Sequence, residues 1–452
     1  MRLQFSHFVA GLVFPFAGMA LPTNDAEDVP YHLRGKRSFV ERNGVKRTIF
    51  EHEATGAKLD FVANSGICET TPGVKQYSGY VSVGTNQNIW FWFFEARHNP
   101  DTAPLATWFN GGPGCSSMIG LFRPFETGFS YGTGPVTSTL TAAPYVWALL
   151  QAFFANFPQY QNRDFGLFTE SYGGHYGPAF ASYFQSQNAA IKSGTVKGQN
   201  VNLVALGINN GLFDAAISYK SYIDFSYNNT YKQLISLPQH TLLMDNYMGY
   251  CLPPLQKCLD LIGGDPACSE AQDMCRSSVQ VTIINAANFN PYDVRAPYSD
   301  PYPPTTYINY LSAPEVMTAI GAKSTYSECS NTAATKFYKT GDSARSFLGV
   351  MSEVVQSGIT VLIWAGDADW ICNWVSNLES AEAITYDQSA AFKSKAETSY
   401  TVNGKAMGTF KTAGNLSWLR VFDAGHEVPY YQPEVAFQAF VQTMQKKPIS
   451  ST

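Results

Sequence analysis

The chain has 452 residues, 45% of them hydrophobic, enough apolar material for one large core with an insertion rather than a minimal module. Only 14% of residues are charged, 30 Lys+Arg against 35 Asp+Glu, and a formal net charge of -5 offers no basic field to hold nucleic acid. Polyanions are excluded as partners on that ground.

In chain order, residues 1–20 carry Arg2, an apolar run from Phe8 to Phe16 and the small residues Gly18 and Ala20 before Leu21-Pro22. This is the pattern of a cleaved secretory signal, and the run is shorter than the ~20 residues of a spanning helix, so no membrane span is expected. Residues 21–37 are polar and end in Lys36-Arg37, either the processing site of a propeptide or a solvated loop.

Short continuous apolar runs then recur at Ile89–Phe94, Leu105–Phe109, Phe165–Phe168, Val201–Ile208, Ile359–Trp364 and Trp418–Phe422. Such runs mark strands buried on both faces, as in a parallel sheet covered by helices. Helix-like stretches at Ala142–Asn156 and Tyr172–Gln187 fall between them in β-α-β order. The chain therefore reads as an α/β core, residues 38–212 and 343–452. It is interrupted by a mostly helical insertion, residues 213–342, rich in cysteine and proline.

Disulfides persist in the compartment that a signal implies. Cys251, Cys258, Cys268 and Cys275 are spaced almost symmetrically, which predicts the nested bridges Cys251–Cys275 and Cys258–Cys268 over a zinc site, since no Cys-x-x-Cys occurs. Asn228 and Asn415 are glycosylation sequons. No metal site is expected, because the His426-Glu427 pair lacks the second histidine of His-Glu-x-x-His, and no cofactor is called for.

Ser171 stands where a buried strand gives way to a helix, with Gly173 and Gly174 behind it, either as a nucleophile on a strand-to-helix elbow or as a helix cap. Thr169 occupies the place of the usual first glycine of that motif. A nucleophilic serine needs a base, and the base an orienting acid. Asp367 and Asp369 follow one strand and His426 the next, giving the chain order Ser, Asp, His at strand ends. His175, one helical turn past Ser171, reads as structural.

Four segments, Trp108 to Ser117, Glu170 to Pro178, Gly366 to Asn373 and Gly425 to Pro429, together with Cys68 to Val74, resemble the signature set of the serine carboxypeptidases. The resemblance covers most of the chain after the leader and implies an α/β-hydrolase fold with a mostly parallel central sheet. It implies Ser171, Asp369 and His426 as the catalytic triad, with Asp367 holding its loop. It also implies the Gly112 and Tyr172 amides as the oxyanion hole, and Asn110 and Glu170 as the grip on the substrate's terminal carboxylate. A carboxylate binds a carboxylate only with a shared proton, so acidic working pH follows. Cys372 resembles the family's unpaired thiol near the substrate, and Cys115–Cys329 its bridge from the Gly-rich loop to the insertion. The implied function is hydrolysis of C-terminal peptide bonds through an acyl-enzyme, in the extracellular space or a vacuole. An acyltransferase or esterase, or a catalytically impaired binding protein, are the other readings.

The sequence departs from that family in one place. Gly120-Leu121-Phe122 runs almost directly into Arg123 and the Gly128-Phe129-Ser130-Tyr131 segment, where the family has a longer stretch holding a central strand and a glutamate that pairs with Glu170. One interior strand is therefore expected to be missing, Cys68 to lose its partner, and Glu126 to be the nearest acidic replacement.

Overall fold

The structure is a computed structural model, and it describes residues 34–117, 127–134, 136–258, 265–300 and 305–452. The signal segment, the junction at Phe122–Arg123 and Glu126 lie outside the described residues.

The chain opens as an antiparallel meander: β1 (Gly35–Arg42), β2 (Val45–His52), β3 (Lys58–Ala63), β4 (Gln76–Gly84) and β5 (Gln87–Phe94). Asn43 and Gly44 take positive φ, 53° and 75°, as the two-residue hairpin between β1 and β2 demands. The Lys36-Arg37 pair lies on β1, where Arg37 donates to the backbone and side-chain oxygens of Asn156 at 2.9 Å. The two-residue strand β7 (Tyr131–Gly132) covers the first residues of the outer edge of β5.

A second sheet carries the α/β pattern. Its order is β11-β12-β13-β10-β9-β8-β6, from β6 (Leu105–Phe109), β8 (Phe165–Glu170), β9 (Leu203–Asn209), β10 (Thr360–Gly366), β11 (Thr398–Val402), β12 (Lys405–Ala413) and β13 (Leu416–Val421). The strands β6, β8, β9, β10 and β13 are mutually parallel, and β11 and β12 add an antiparallel hairpin at the far edge. All residues of β8, β9 and β10 are buried, which is why the sequence shows them as unbroken apolar runs. Helices α1 (Thr139–Asn156) and α2 (Gly173–Lys192) connect them, α1 starting on a Ser138–Thr141 capping box. Leu149, Phe153, Leu167, Phe180, Ile208 and Val361 belong to the main core.

The expected missing strand has a visible counterpart. No pairing joins β5 to β6 among the described residues, so the strands form two sheets rather than one. A cavity of about 300 Å³ lies at that seam, lined by Trp92, Phe94, Leu105, Tyr160 and Phe440 among others.

The insertion is helical where described, beginning with α3 (Ala215–Tyr227). Its own core is built around Cys251–Cys275 and Cys258–Cys268, and Cys115–Cys329 ties it to the loop after β6. Cys68, exposed, and Cys372, buried, are free. Among the described residues no helix is long and apolar enough to cross a membrane.

Candidate active site

Because β6, β8, β9, β10 and β13 run in one direction, the segments leaving their C-terminal ends gather at one edge of the sheet. Those segments hold Asn110 to Gly112, Ser171, Asn209-Asn210, Asp367 to Cys372 and His426.

Ser171 has φ 62°, the left-handed conformation of a strained turn, and sits between β8 and α2. Its amide donates to Asn209 O at 3.0 Å, and its carbonyl accepts from Leu212 N at 2.9 Å. Thr169 fits the elbow in place of glycine because its hydroxyl turns onto Gly173 O at 2.9 Å. The Gly-rich loop lies directly against the serine: a Cβ on Gly111 would stand 2.3 Å from Tyr172 N and 2.9 Å from Ser171 Oγ. Gly112 has φ 116°, which only glycine adopts without strain. Gly112, Ser171, Tyr172 and Cys372 open onto a cavity of about 390 Å³, whose other walls include Tyr219, Tyr222, Arg276 and Tyr338 of the insertion.

His426 is 3% exposed, and its Nδ1 donates to Asp369 Oδ2 at 2.9 Å. Asp369 is fully buried and saturated: Oδ2 also accepts from Asn210 Nδ2 at 2.9 Å and Cys372 N at 3.0 Å, and Oδ1 from Ile371 N at 3.2 Å. Asp367 faces another way, accepting from Tyr231 Oη at 2.5 Å, Asp423 N at 3.0 Å and Arg420 at 3.2 Å. The insertion clamps this corner: Pro291 O accepts the amides of Trp370 and Ile371, and Trp370 stacks on Tyr222 at 4.4 Å. The Cys372 thiol is a hydrogen-bond neighbour of Ser171, and burial pushes it well above the usual thiol range, so it stays protonated. Asp369, Cys372 and His426 offer donor atoms within 4.8 Å of one another, close enough for a metal, but Asp369 and His426 spend theirs on each other.

Glu170 is 2% exposed; burial and then the charge of Glu427 lift it to about 8, so it holds a proton far above the usual carboxylate range. Burial likewise raises Glu427. For His426 burial works against the charged ring, but Asp369, Glu427 and Glu170 outweigh it and raise the imidazole to about 9. When Glu170 and Glu427 take up protons, two of those three charges vanish and the upward pull on the ring weakens to that of Asp369. Asn110 accepts from Trp108 Nε1 at 2.7 Å through its Oδ1, which leaves its amide N–H groups for other partners.

His175 is buried and structural in its contacts, its Nδ1 donating to Leu212 O at 2.6 Å and its ring 4.5 Å from Phe347. Asn228 is exposed at the end of α3, while Asn415 turns its Nδ2, the atom a glycan would join, onto Val355 O and Ile359 O. Sequence reasoning passed over Asn209, Asn210, Glu427 and Asp342. The last accepts from Tyr172 Oη at 2.7 Å and Thr139 Oγ1 at 2.6 Å and so steadies the residue after the serine. Asn209-Asn210-Gly211 at the end of a buried strand was the readable signal, a cluster of turn-forming residues.

A parallel sheet with helical crossovers, a serine elbow after β8 and a histidine–aspartate pair after the last strands define an α/β-hydrolase. The family model for serine carboxypeptidases matches residues 66–123 and 123–446, two blocks that meet at Arg123. The chain belongs to the serine carboxypeptidase family, serine-type exopeptidases that hydrolyse the C-terminal peptide bonds of peptides and proteins. It is 57% identical to carboxypeptidase S1 of Penicillium janthinellum over 424 aligned positions, taking in 87% of this chain and 100% of that one. It is 33% identical to carboxypeptidase Y homolog A of Talaromyces stipitatus, over 82% of this chain and 72% of the other. Among solved structures it is similar in fold to the Saccharomyces cerevisiae prohormone-processing carboxypeptidase Kex1(Δ)p, with a TM-score of 0.67 at 21% identity, covering 86% of this chain and 91% of that one. Three disulfides and this family place the chain in the secretory pathway, where such bonds persist.

Proposed function

We propose that Ser171 is the nucleophile of this exopeptidase, His426 its base and Asp369 the acid that orients His426. Ser171 Oγ attacks the carbonyl carbon of the last peptide bond and its proton passes to the free nitrogen of His426. The Gly112 and Tyr172 amides receive the charge that develops on the carbonyl oxygen. His426 then returns the proton to the leaving amino group as the C–N bond breaks, and water releases the acyl group by the same steps in reverse. Protonated Glu170 and the Asn110 amide hold the substrate's terminal carboxylate, which confines cleavage to the last residue. The working range ends near pH 8, because Glu170 ionised above it would repel that carboxylate.

The observation that carries this reading is the buried Asp369–His426 hydrogen bond at the same sheet edge as a serine held at φ 62° on the wall of the 390 Å³ cavity. The three disulfides favour an extracellular or vacuolar setting. Purified protein is expected to release free amino acids from blocked dipeptides at acid pH, and Ser171→Ala to lose at least about 10⁴-fold in kcat. Equal release by Ser171→Ala would end the assignment. Esters without a free carboxylate, cleaved as well as the dipeptides, would favour the esterase reading.

A further inference from the structure

We propose that Asn209 and Asn210, adjacent residues where β9 ends, are positioning residues that divide the work of the site: Asn209 ties Glu170 to the His426 loop, and Asn210 orients Asp369. The proposal rests on the roles of Ser171, Asp369, His426 and Glu170 given above.

The strand order makes this dipeptide the hub. β9 lies between β8, which ends in Glu170, and β10, which leads to Asp369, so Asn209 stands in register with Glu170 on one side and Trp364 on the other. Neighbouring side chains of a strand point to opposite faces, and both would serve one site only if the backbone turned between them. It does: Asn210 has φ 40°, a left-handed conformation that asparagine tolerates better than most residues.

Each amide then makes contacts that a packing residue could not. Asn209 Nδ2 donates to His426 O at 2.6 Å and to Glu170 Oε2 at 3.3 Å. Its Oδ1 is buried without a hydrogen-bond partner among the described residues, an unfavourable arrangement that an apolar side chain would avoid. Asn210 Nδ2 donates to Asp369 Oδ2 at 2.9 Å, the same oxygen that receives the His426 Nδ1 proton, and to Cys372 O at 3.2 Å. Its Oδ1 accepts from Gly366 N at 3.0 Å, so the side chain also stitches β9 to the start of the acid loop. Both residues are fully buried. An aspartate at 210 would set one carboxylate against another, which explains the amide.

The two roles separate in two assays. A fluorophosphonate reports the triad alone: Ser171 Oγ bonds to phosphorus, fluoride leaves and the serine proton passes to His426. The ratio of KM for a blocked dipeptide and for its C-terminal amide reports the carboxylate grip. Asn209→Leu is expected to cut the preference for the free carboxylate about tenfold and to slow labelling by a smaller factor, because His426 O also loses its donor. Asn210→Asp is expected to slow labelling and kcat at least about tenfold and leave that preference unchanged. Asn209→Ser and Asn210→Gly, the latter keeping the left-handed backbone, serve where the first variants fail to fold. Variants that fold with an unchanged melting temperature yet change both readouts by the same factor, or neither, would overturn the division of roles. Undiminished labelling of Ser171→Ala would instead overturn the nucleophile assignment and leave the asparagines aside.

Discussion

A buried carboxyl that keeps its proton is, on the proposed mechanism, the residue on which exopeptidase specificity turns. Glu170 sits among Glu427, Asp369 and His426, and burial with the Glu427 charge raises it to about 8. Below that pH it donates to a substrate carboxylate, and above it repels one. KM for free-carboxylate peptides is therefore expected to rise as pH climbs through about 8, while KM for C-terminal amides stays flat. Glu170→Gln keeps a donor but has no proton to lose, so its KM should be flat where wild type rises. Steady-state kinetics of both substrates across pH measure this; a Glu170→Gln profile that rises like wild type would remove Glu170 from the carboxylate site. The residue types and order of the proposed triad were legible in the sequence because chemistry restricts such a triad to Ser, His and Asp after strands. Asn209, Asn210 and Glu427 were not, because an amide or a carboxyl acquires its role here only from what the fold sets beside it.

At the scale of elements, the loop after β6 has to lie against the elbow after β8 to within a hydrogen bond. Cys115–Cys329 anchors that loop to the insertion across 214 residues, reinforced by Ser330 N to Gly114 O at 2.8 Å and Ser116 N to Glu328 O at 2.7 Å. Loop-closure entropy assigns such a bridge several kcal/mol, and replacing Cys115 and Cys329 by serine is expected to cost about 2–5 kcal/mol, read as a lower melting temperature. Activity should fall with it, since ~1 Å of slack between Gly112 and Tyr172 costs about 100-fold. A double variant as stable and as active as wild type would show that the hydrogen bonds suffice. The buried parallel strands were readable as apolar runs, whereas the antiparallel β1 to β4 and the β11–β12 hairpin, whose sequences mix polar with apolar residues, were passed over. Their signal was the dipeptides Asn43-Gly44 and Asn403-Gly404, both at positive φ.

For the whole molecule, the division into two sheets is the dominant feature. β5 and β6 each face a seam with an aromatic-lined cavity of about 300 Å³, and no strand pairing joins them there among the described residues. The family match breaks at Arg123, and the alignment with the Penicillium janthinellum relative spans 424 positions, more than the 87% of this chain that takes part, so the relative has chain that this one lacks. Grafting the relative's segment between Phe122 and Arg123 is expected to raise the melting temperature by at least about 4 °C and to increase kcat/KM. A graft that lowers both would mean that the two sheets are well closed as they stand. Composition, periodicity and motif order determined by themselves the class of fold, the disulfide pairing in the insertion and the candidates for the reacting groups, since each depends on residue type and spacing along the chain. Which carboxyl meets His426, which keeps its proton, what holds them and whether the sheet closes across the lost strand were decided only by tertiary structure, because burial and contact between residues hundreds apart in sequence leave no local trace.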